Sequence, residues 1–547
     1  RDGRTSTVTV DRKAPGVIAL STNGKPDATL SERWLQPAQS IQDTLPLSVD
    51  EPTQLLLPLV TLAHNPDAQN ALVVGQGSGV STHTLLGSPH LEALTTVEIE
   101  PQMLEGSRVF YPANRRSFDD PRARFVLDDA KSFLAQGGPP LDLILSEPSN
   151  PWVSGVASLF STEFYDRVRA RLAPGGVFGQ WLHLYEISDV LVLSVLSALH
   201  RAFSDYQVFL VHNVDMLIVA TVGGTLPAPD WSVFGFPGVA EDLSRTFPFR
   251  PELLDRLRFL SRSGLAPLMD GYGPPNSDFF PILDLGAERT RYLRTPAAGF
   301  VGSSSGPFDI ADAFLPVPVT SGETFNSPVP QISSTRGLAL KNRIQRALSE
   351  GVSTREITSS DILPQAGSEI LHSIGESGTE EGPGEDVELR QALFRLQRAR
   401  ALLGMEEVPL DWVGWTAEVL AGAGWSATTG WQLVDPALLP QISSVAQALG
   451  APSGVVEVPR FIEALQDRDW EEVAAASLVL ADELEAGRRW ISPETLLDAG
   501  VTALLLRGDP VEARAFFSRV APTAGRPPGD LRSRLLVAHL DRALSPR

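Results

Sequence analysis

The stretch Leu72-Val-Val-Gly-Gln-Gly-Ser-Gly-Val80 constrains this chain more than any other. It reads as a buried strand running into a turn of three glycines, Gly75, Gly77 and Gly79. Glycine takes positive φ without steric cost and lets backbone come close to a ligand. Nineteen residues past Gly79 (98 − 79), Val97-Glu98-Ile99-Glu100 reads as a second strand ending in acid. A glycine turn after one strand and an acid at the end of the next make a nucleoside-binding pattern, with the acid on the ribose diol. The dinucleotide form spaces its glycines Gly-x-Gly-x-x-Gly, which seats a pyrophosphate on a helix N-terminus. Here the third glycine comes one residue early and position 80 is Val. That spacing favours an S-adenosylmethionine fold, where no pyrophosphate needs a cradle. Glycine turns also serve as plain strand–helix connections, so the turn needs support from elsewhere in the chain.

Two more strands supply it. Arg124-Phe-Val-Leu-Asp-Asp129 leads into a helix near Ala130, and Leu141-Asp-Leu-Ile-Leu-Ser-Glu147 runs into Pro148-Ser-Asn-Pro-Trp152. In open parallel sheets, ligands bind beyond the carboxyl ends of the strands. Glu98, Asp129 and Glu147 all fall at such ends, in register with the glycine turn. Any one of them alone reads equally well as a helix cap or a solvated loop residue.

The 547 residues divide into four zones. Residues 1–65 alternate polar and apolar residues around Asn23-Gly24, a strong hairpin signal, and are expected to form a small β-domain. Residues 66–300 alternate strand and helix patterns, as a doubly wound, mostly parallel sheet requires. Within them, Val190 to Phe203 reads as an amphipathic helix. Residues 301–388 are rich in Ser, Gly and Pro and end in acid, the composition of a linker, with one helix expected near Leu338–Leu348. Residues 389–547 read as helices: Leu389, Leu393, Leu396 and Leu403 form a stripe, and Asp469, Ser492 and Asp509 sit at cap positions. The helix–turn–helix pairs resemble tetratricopeptide repeats, without a clean 34-residue period. An ordinary helical domain fits as well. The expected fold class is therefore α/β, Rossmann-like, with a small N-terminal β-domain and an α-helical C-terminal domain.

Composition excludes several functions. The net charge of −21 argues against nonspecific nucleic-acid binding. There is no cysteine, so no disulfide, thiolate nucleophile or zinc–thiolate site forms, which fits a cytoplasmic protein. No apolar run is long enough to span a membrane. The chain starts at Arg1, which suggests a processed or truncated piece of a longer protein. The eight histidines show no metal-ligand spacing, and no metal is expected. The Trp cluster at 412, 415, 425 and 431 reads as helical core, since no basic residues are interleaved with it.

Residues from about 5 to 295 resemble the spermidine synthase (polyamine aminopropyltransferase) family, especially bacterial spermidine-synthase-like proteins often fused to membrane segments. The matching stretches are Asn23-Gly24-Lys25, Asp50-Glu51-Pro-Thr-Gln54, His64-Asn-Pro66 and Gly75-Gln-Gly-Ser-Gly79. They continue with Val97-Glu-Ile-Glu100, Leu127-Asp-Asp-Ala130, Ser146-Glu-Pro-Ser-Asn-Pro151, Ser158-Leu-Phe160, Glu163-Phe-Tyr165 and Gln180-Trp-Leu-His-Leu184. The resemblance implies an S-adenosyl cofactor, either decarboxylated S-adenosylmethionine or S-adenosylmethionine, and a small-molecule amine as acceptor. It implies a homo-oligomer and allows a membrane tether outside this chain; residues 389–547 are, apart from the resemblance, a candidate surface for a protein partner. By the same resemblance, Glu98 holds the ribose hydroxyls, Asp129 meets the adenine amino group with Asp128 beside it, and Gly75, Gly77, Ser78 and Gly79 line the sulfonium side. Gln54 stands on the cofactor side of the amine pocket. Glu147 takes the place of the catalytic aspartate, with Tyr185 next to the reacting amine. Asn150, Trp152 and Gln180 contact the acceptor, and residues 152–160 form a lid.

Two departures matter. The family's turn usually carries an aspartate where this chain has Ser78, and its catalytic strand usually ends Asp-x-x-Asp where this chain has Glu147-Pro-Ser-Asn150. Each removes a carboxylate that would meet an ammonium, and a buried unpaired charge is costly. Three functions therefore stay open: aminopropyl transfer to an amine, methyl transfer from S-adenosylmethionine, and a noncatalytic synthase-like module that binds a protein partner.

Overall fold

The computed structural model describes residues 3, 6–14, 16–36, 48, 50–211, 214–243, 254, 257–303, 443–444, 447–448, 453–527 and 529–545. They belong to two separate compact units, 3–303 and 443–545. The expected linker beyond Ser303, the helix at Leu338–Leu348, the stripe at Leu389–Leu403 and the Trp cluster lie outside the described residues.

The first unit opens with three antiparallel strands in the order β1-β2-β3: β1 (Val8–Ala14), β2 (Val17–Thr22) and β3 (Lys25–Ser31). Asn23 and Gly24 join β2 to β3 with φ of 51° and 81°. Both angles are positive, as the tight turn encoded by Asn-Gly requires. Helix α1 (Glu51–Ala63) follows and is buried along its whole length.

The chain then alternates strand and helix: β4 (Asn70–Val74), α2 (Val80–Leu85), β5 (Ala93–Glu98), α3 (Pro101–Ser107), α4 (Arg115–Asp119), β6 (Ala123–Leu127) and α5 (Ala130–Ala135). Next come β7 (Leu141–Ser146), α6 (Thr162–Arg171), β8 (Leu172–His183), α7 (Asp189–Ala202), β9 (Asp205–Val211) and β10 (Asp215–Thr221). The unit closes with α8 (Pro237–Leu243), β11 (Arg258–Ser261), α9 (Arg262–Met269), α10 (Ile282–Leu293) and α11 (Ala298–Ser303). Eight strands form one sheet in the order β11-β9-β10-β8-β7-β4-β5-β6. From β6 to β8 every pairing is parallel; β10, β9 and β11 are added antiparallel. Ala71–Val74 of β4 are all buried, as expected of a strand covered on both faces.

Helix α1 shares an apolar cluster with this sheet, including Leu57, Val60, Ala71, Val73, Leu143 and Val219. It lies very close to β8: a Cβ built on Gly179 would overlap Thr61 Oγ1. Glycine inside a strand often marks such an approach. Helix α7 departs from the amphipathic reading. Its polar Ser194, Ser197 and His200 are buried with its apolar residues, because α6, α9, α10 and α11 pack around it.

The second unit contains α12 (Ser453–Asp467), α13 (Trp470–Glu485), α14 (Pro493–Arg507), α15 (Pro510–Ala524) and α16 (Leu531–Leu544), each packed on its predecessor. The caps at Asp469 and Ser492 form: their side chains accept from Glu472 N at 3.1 Å and Thr495 N at 3.0 Å. Gly508, at φ 92°, ends α14. Asp509 stands at the next N-cap but makes no side-chain cap bond. Its carboxylate is taken by Arg507 Nε at 2.7 Å. The buried Asp498 on α14 receives the guanidinium of Arg526, with Arg532 at 3.6 Å. Among the described residues, no helix is long and apolar enough to cross a membrane.

Candidate active site

A cavity of about 950 Å³ opens at the carboxyl ends of β4, β5 and β7, with Asn23, Pro26 and Asp27 of the N-terminal sheet on its wall. Gly75, Gln76, Gly77 and Ser78 of the glycine turn line it, and Gly79, expected beside them, does not. Gly75, Gly77 and Gly79 have φ of 90°, 48° and 81°, angles that other residues rarely adopt. Gly75 N donates to Val97 O at 2.9 Å, which fastens the turn to β5. A Cβ at 79 would overlap the Gln76 amide, and one at 75 would press on Glu147 O at 3.3 Å.

At the tip of β5, Glu98 is buried. One carboxylate oxygen accepts from Gln76 N at 2.9 Å and the other from Glu100 N at 2.8 Å. Burial pushes its carboxyl above the usual range, against these amide donors. The Ile99 amide acts on the carboxylate as well, and with three backbone donors on two oxygens one lone pair remains for a ligand hydroxyl. Asp128 and Asp129 also line the cavity. Asp129 caps α5 by accepting from Ser132 N at 2.8 Å, and Asp128 accepts from Gln136 Nε2 at 2.9 Å.

Glu147 stands across from the turn, one residue past β7. Ser81 Oγ donates to its Oε2. Burial raises its carboxyl to about 7, and the nearby charges of Asp215 and Asp50 push the same way. Ser78 lines the cavity, but its hydroxyl donates to Gln54 Oε1 and accepts from Val80 N at 3.2 Å. The Gln54 amide in turn donates to Thr29 O at 3.0 Å. Asn150 Nδ2 donates to Tyr185 Oη at 3.3 Å, and both residues line the cavity. Burial pushes the Tyr185 hydroxyl upward.

Two expected acceptor residues are elsewhere. Gln180 is fully buried behind the wall, where it accepts from Tyr165 Oη at 2.7 Å and donates to Leu159 O at 3.0 Å. Residues alternate sides along β8, and its neighbour Trp181 is the one that reaches the cavity. Trp152 is also absent from the lining; it packs edge-on against His183 at 4.9 Å.

The sequence reading missed Asp215, the first residue of β10. It lines the cavity and accepts from Trp181 Nε1 at 2.9 Å and Thr53 Oγ1 at 3.1 Å. Burial raises its carboxyl to about 6, and Asp50 adds to the effect. Strand β10 is antiparallel to β8, with Asp215 opposite His183, so its beginning lies where the parallel strands end. An acid just before the apolar run Met216–Val219 was the available signal. Its use depended on knowing the strand direction. Asp27 and Asp50 add two more carboxylates to the lining. Among the described residues, no group of three His, Cys, Asp or Glu is placed to hold a metal ion.

The spermine/spermidine synthase domain matches residues 53–219. Spermidine synthase from Dictyostelium discoideum is 31% identical over 142 residues, 25% of this chain and 50% of that protein. Polyamine aminopropyltransferase from Escherichia coli O1:K1 is 33% identical over 123 residues, 22% of this chain and 41% of that protein. The chain thus spans half or less of the length of these relatives. Among solved structures, spermidine synthase in complex with the transition state analogue AdoDATO aligns at a TM-score of 0.33 and 14% identity, over 53% of this chain and 86% of that one. Human methyltransferase-like protein 13 in complex with SAH aligns at 0.29 and 21% identity, over 37% and 94%. The match across residues 53–219 carries the glycine turn and every acid-tipped parallel strand, and over that stretch the chain is similar to the spermine/spermidine synthase domain.

Proposed function

We propose that the α/β unit is a transferase that moves an aminopropyl group from an S-adenosyl sulfonium nucleoside to a small amine. The observation that carries this reading is Glu147: a buried carboxyl at the fourth parallel strand end, facing the glycine turn across the cavity. The residues fit the nucleoside. Gly77 leaves open space above the turn, and Glu98 keeps acceptor capacity beside it. Such a nucleoside, when bound, supplies a carbon activated by the neighbouring positive sulfur. The chain's own residues do the rest. Glu147, with a pKa of about 7, accepts the proton of the attacking amine; a base works best when its pKa lies near the operating pH. Ser81 fixes the direction of its Oε2. Asp215, oriented by Trp181 and Thr53, and Asp50 supply negative charge for an ammonium. These carboxylates offset the two lost at Ser78 and Asn150.

Methyl transfer is the second reading, and Ser78 supports it. A neutral hydroxyl there, already engaged with Gln54, does not repel the carboxylate of intact S-adenosylmethionine. Calorimetry with S-adenosylmethionine, its decarboxylated form and methylthioadenosine, followed by mass analysis of a small amine after incubation, tests both. Tight binding of the decarboxylated form and an aminopropylated product support the first reading. A methylated product transfers support to the second, and no binding by any of the three sinks both in favour of a noncatalytic module.

A further inference from the structure

We propose that two buried side-chain amides, Asn276 and Gln180, are positioning residues: they seat the cavity wall at residues 153–160 from behind and so set how tightly an acceptor binds. The inference rests on the amine-transfer reading above and adds to it residues that touch no ligand.

This wall segment continues directly from the strand end that carries Glu147, and most of the chain from Glu147 to Leu159 lines the cavity. Val153 N donates to Asn150 O at 2.9 Å, which ties the segment's start to that strand end. Val156–Phe160 then coils as a 3-10 helix of five residues. So short a coil cannot satisfy the carbonyls of its last turn by itself. Here side chains meet all of those from Ala157 to Phe160. Asn276 Nδ2 donates to Ala157 O at 3.3 Å and to Phe160 O at 2.9 Å. Gln180 Nε2 donates to Leu159 O at 3.0 Å, and Ser161 Oγ to Ser158 O at 2.9 Å.

The two amides divide their atoms in the same way. Asn276 Oδ1 accepts from Leu283 N at the start of α10, at 3.0 Å, and Gln180 Oε1 accepts from Tyr165 Oη on α6, at 2.7 Å. In each, the oxygen grips the scaffold and the nitrogen grips the wall. Asn276 is locked further by its backbone. Its N–H donates to Ser194 O on α7 at 3.0 Å, and its carbonyl accepts from Thr162 N at 3.0 Å and Thr162 Oγ1 at 3.1 Å. Both residues are buried, and neither lines the cavity. A site is held to its working geometry by such outer hydrogen bonds, which lock the groups that face the ligand. The glycine turn and Glu98 stand on β4 and β5 instead. Releasing the wall should therefore loosen the acceptor and spare the nucleoside.

Asn276→Asp and Gln180→Glu test this, because each keeps the oxygen that grips the scaffold and puts a second oxygen against the wall's carbonyls. Calorimetry on the whole chain measures methylthioadenosine first, then 1,4-diaminobutane on the saturated protein. Each variant should bind methylthioadenosine within about threefold of wild type and the amine about tenfold more weakly. In transfer from decarboxylated S-adenosylmethionine, the KM for the amine should rise by the same factor while kcat stays close to wild type. Hydrogen exchange should quicken at 153–160. Thr162→Val cuts a bond to the same asparagine without touching the wall's carbonyls, and should bind both ligands as wild type does. If one of the two acid variants fails to fold, the other decides. The inference falls, and the transferase reading stands, if the acid variants bind the amine normally, if they lose both ligands alike, or if Thr162→Val weakens the amine as much. If the amine does not bind the wild type, the transferase reading falls and takes the inference with it.

Discussion

Two buried carboxyls, one in each unit, teach opposite lessons. Asp498 in the helical unit is 1% exposed and is met by the guanidinium of Arg526, with Arg532 nearby. Glu147 in the α/β unit receives a serine hydroxyl, and the charges around it are the like charges of Asp215 and Asp50. Burial raises both carboxyls. In the helical unit the chain supplies the countercharge itself, so the acid is a rivet between α14 and the segment leading into α16. In the α/β unit no such countercharge is built in, and the acid faces a cavity. A buried acid that its own protein leaves without a cation is a candidate for chemistry; one that is neutralised internally is a candidate for stability.

The contrast can be broken at four points. The largest effect is expected from Glu147→Gln, which keeps shape and removes the base. Turnover should fall by about 10²–10⁴-fold with nucleoside affinity retained. Normal turnover at saturation combined with lost affinity would make Glu147 a binding residue only.

Arg526→Met should be the most damaging change to the helical unit. It leaves Asp498 buried beside a single remaining arginine, at a cost of about 3 kcal/mol. A thermal scan should show that unit melting earlier, while calorimetric binding of a nucleoside to the chain stays unaltered. Equal melting of variant and parent would show that Arg532 suffices.

Glu98→Ala should weaken adenosyl binding by about 1.5–3 kcal/mol, the range for hydrogen bonds to a charged group. Its two amide partners, Gln76 N and Glu100 N, lose their acceptor together, so circular dichroism must accompany the titration.

The smallest effect concerns pH. The folded-state pKa of Glu147, about 7, lies above its ordinary value of 4.5. The folded state therefore binds the proton more tightly, and the associated stability is complete below pH 4.5 and lost as pH rises through 7. Glu147→Gln should accordingly raise the melting temperature at pH 8 and change it little at pH 4. A variant less stable than the parent at pH 8 would contradict this sign.

What could be read in the sequence divides along the same cavity. The nucleoside end is encoded locally: Gly75 to Gly79 and Glu98 belong to consecutive strands, and their spacing survives into the structure because each parallel strand begins a new βα step. The amine end is assembled from distant segments. Asp215 arrives on an antiparallel strand, Asp27 on the N-terminal sheet, Thr53 and Gln54 on α1, and nothing in their spacing announces the meeting. Gln180 and Trp181 show the limit most sharply. They are adjacent in one strand, and the side of the sheet each faces was not legible from a segment that is apolar on both sides.

The close seating of α1 on β8 sets a mechanical tolerance for the whole site. Thr61, which meets Gly179, and Thr53, which holds Asp215, lie eight residues apart on one rigid rod, about 12 Å. Any side chain at position 179 must lift that rod, and with it the Thr53 hydroxyl and the Gln54 amide. Gly179→Ala would thus detune the amine end from a distance, without altering a single group that touches a ligand.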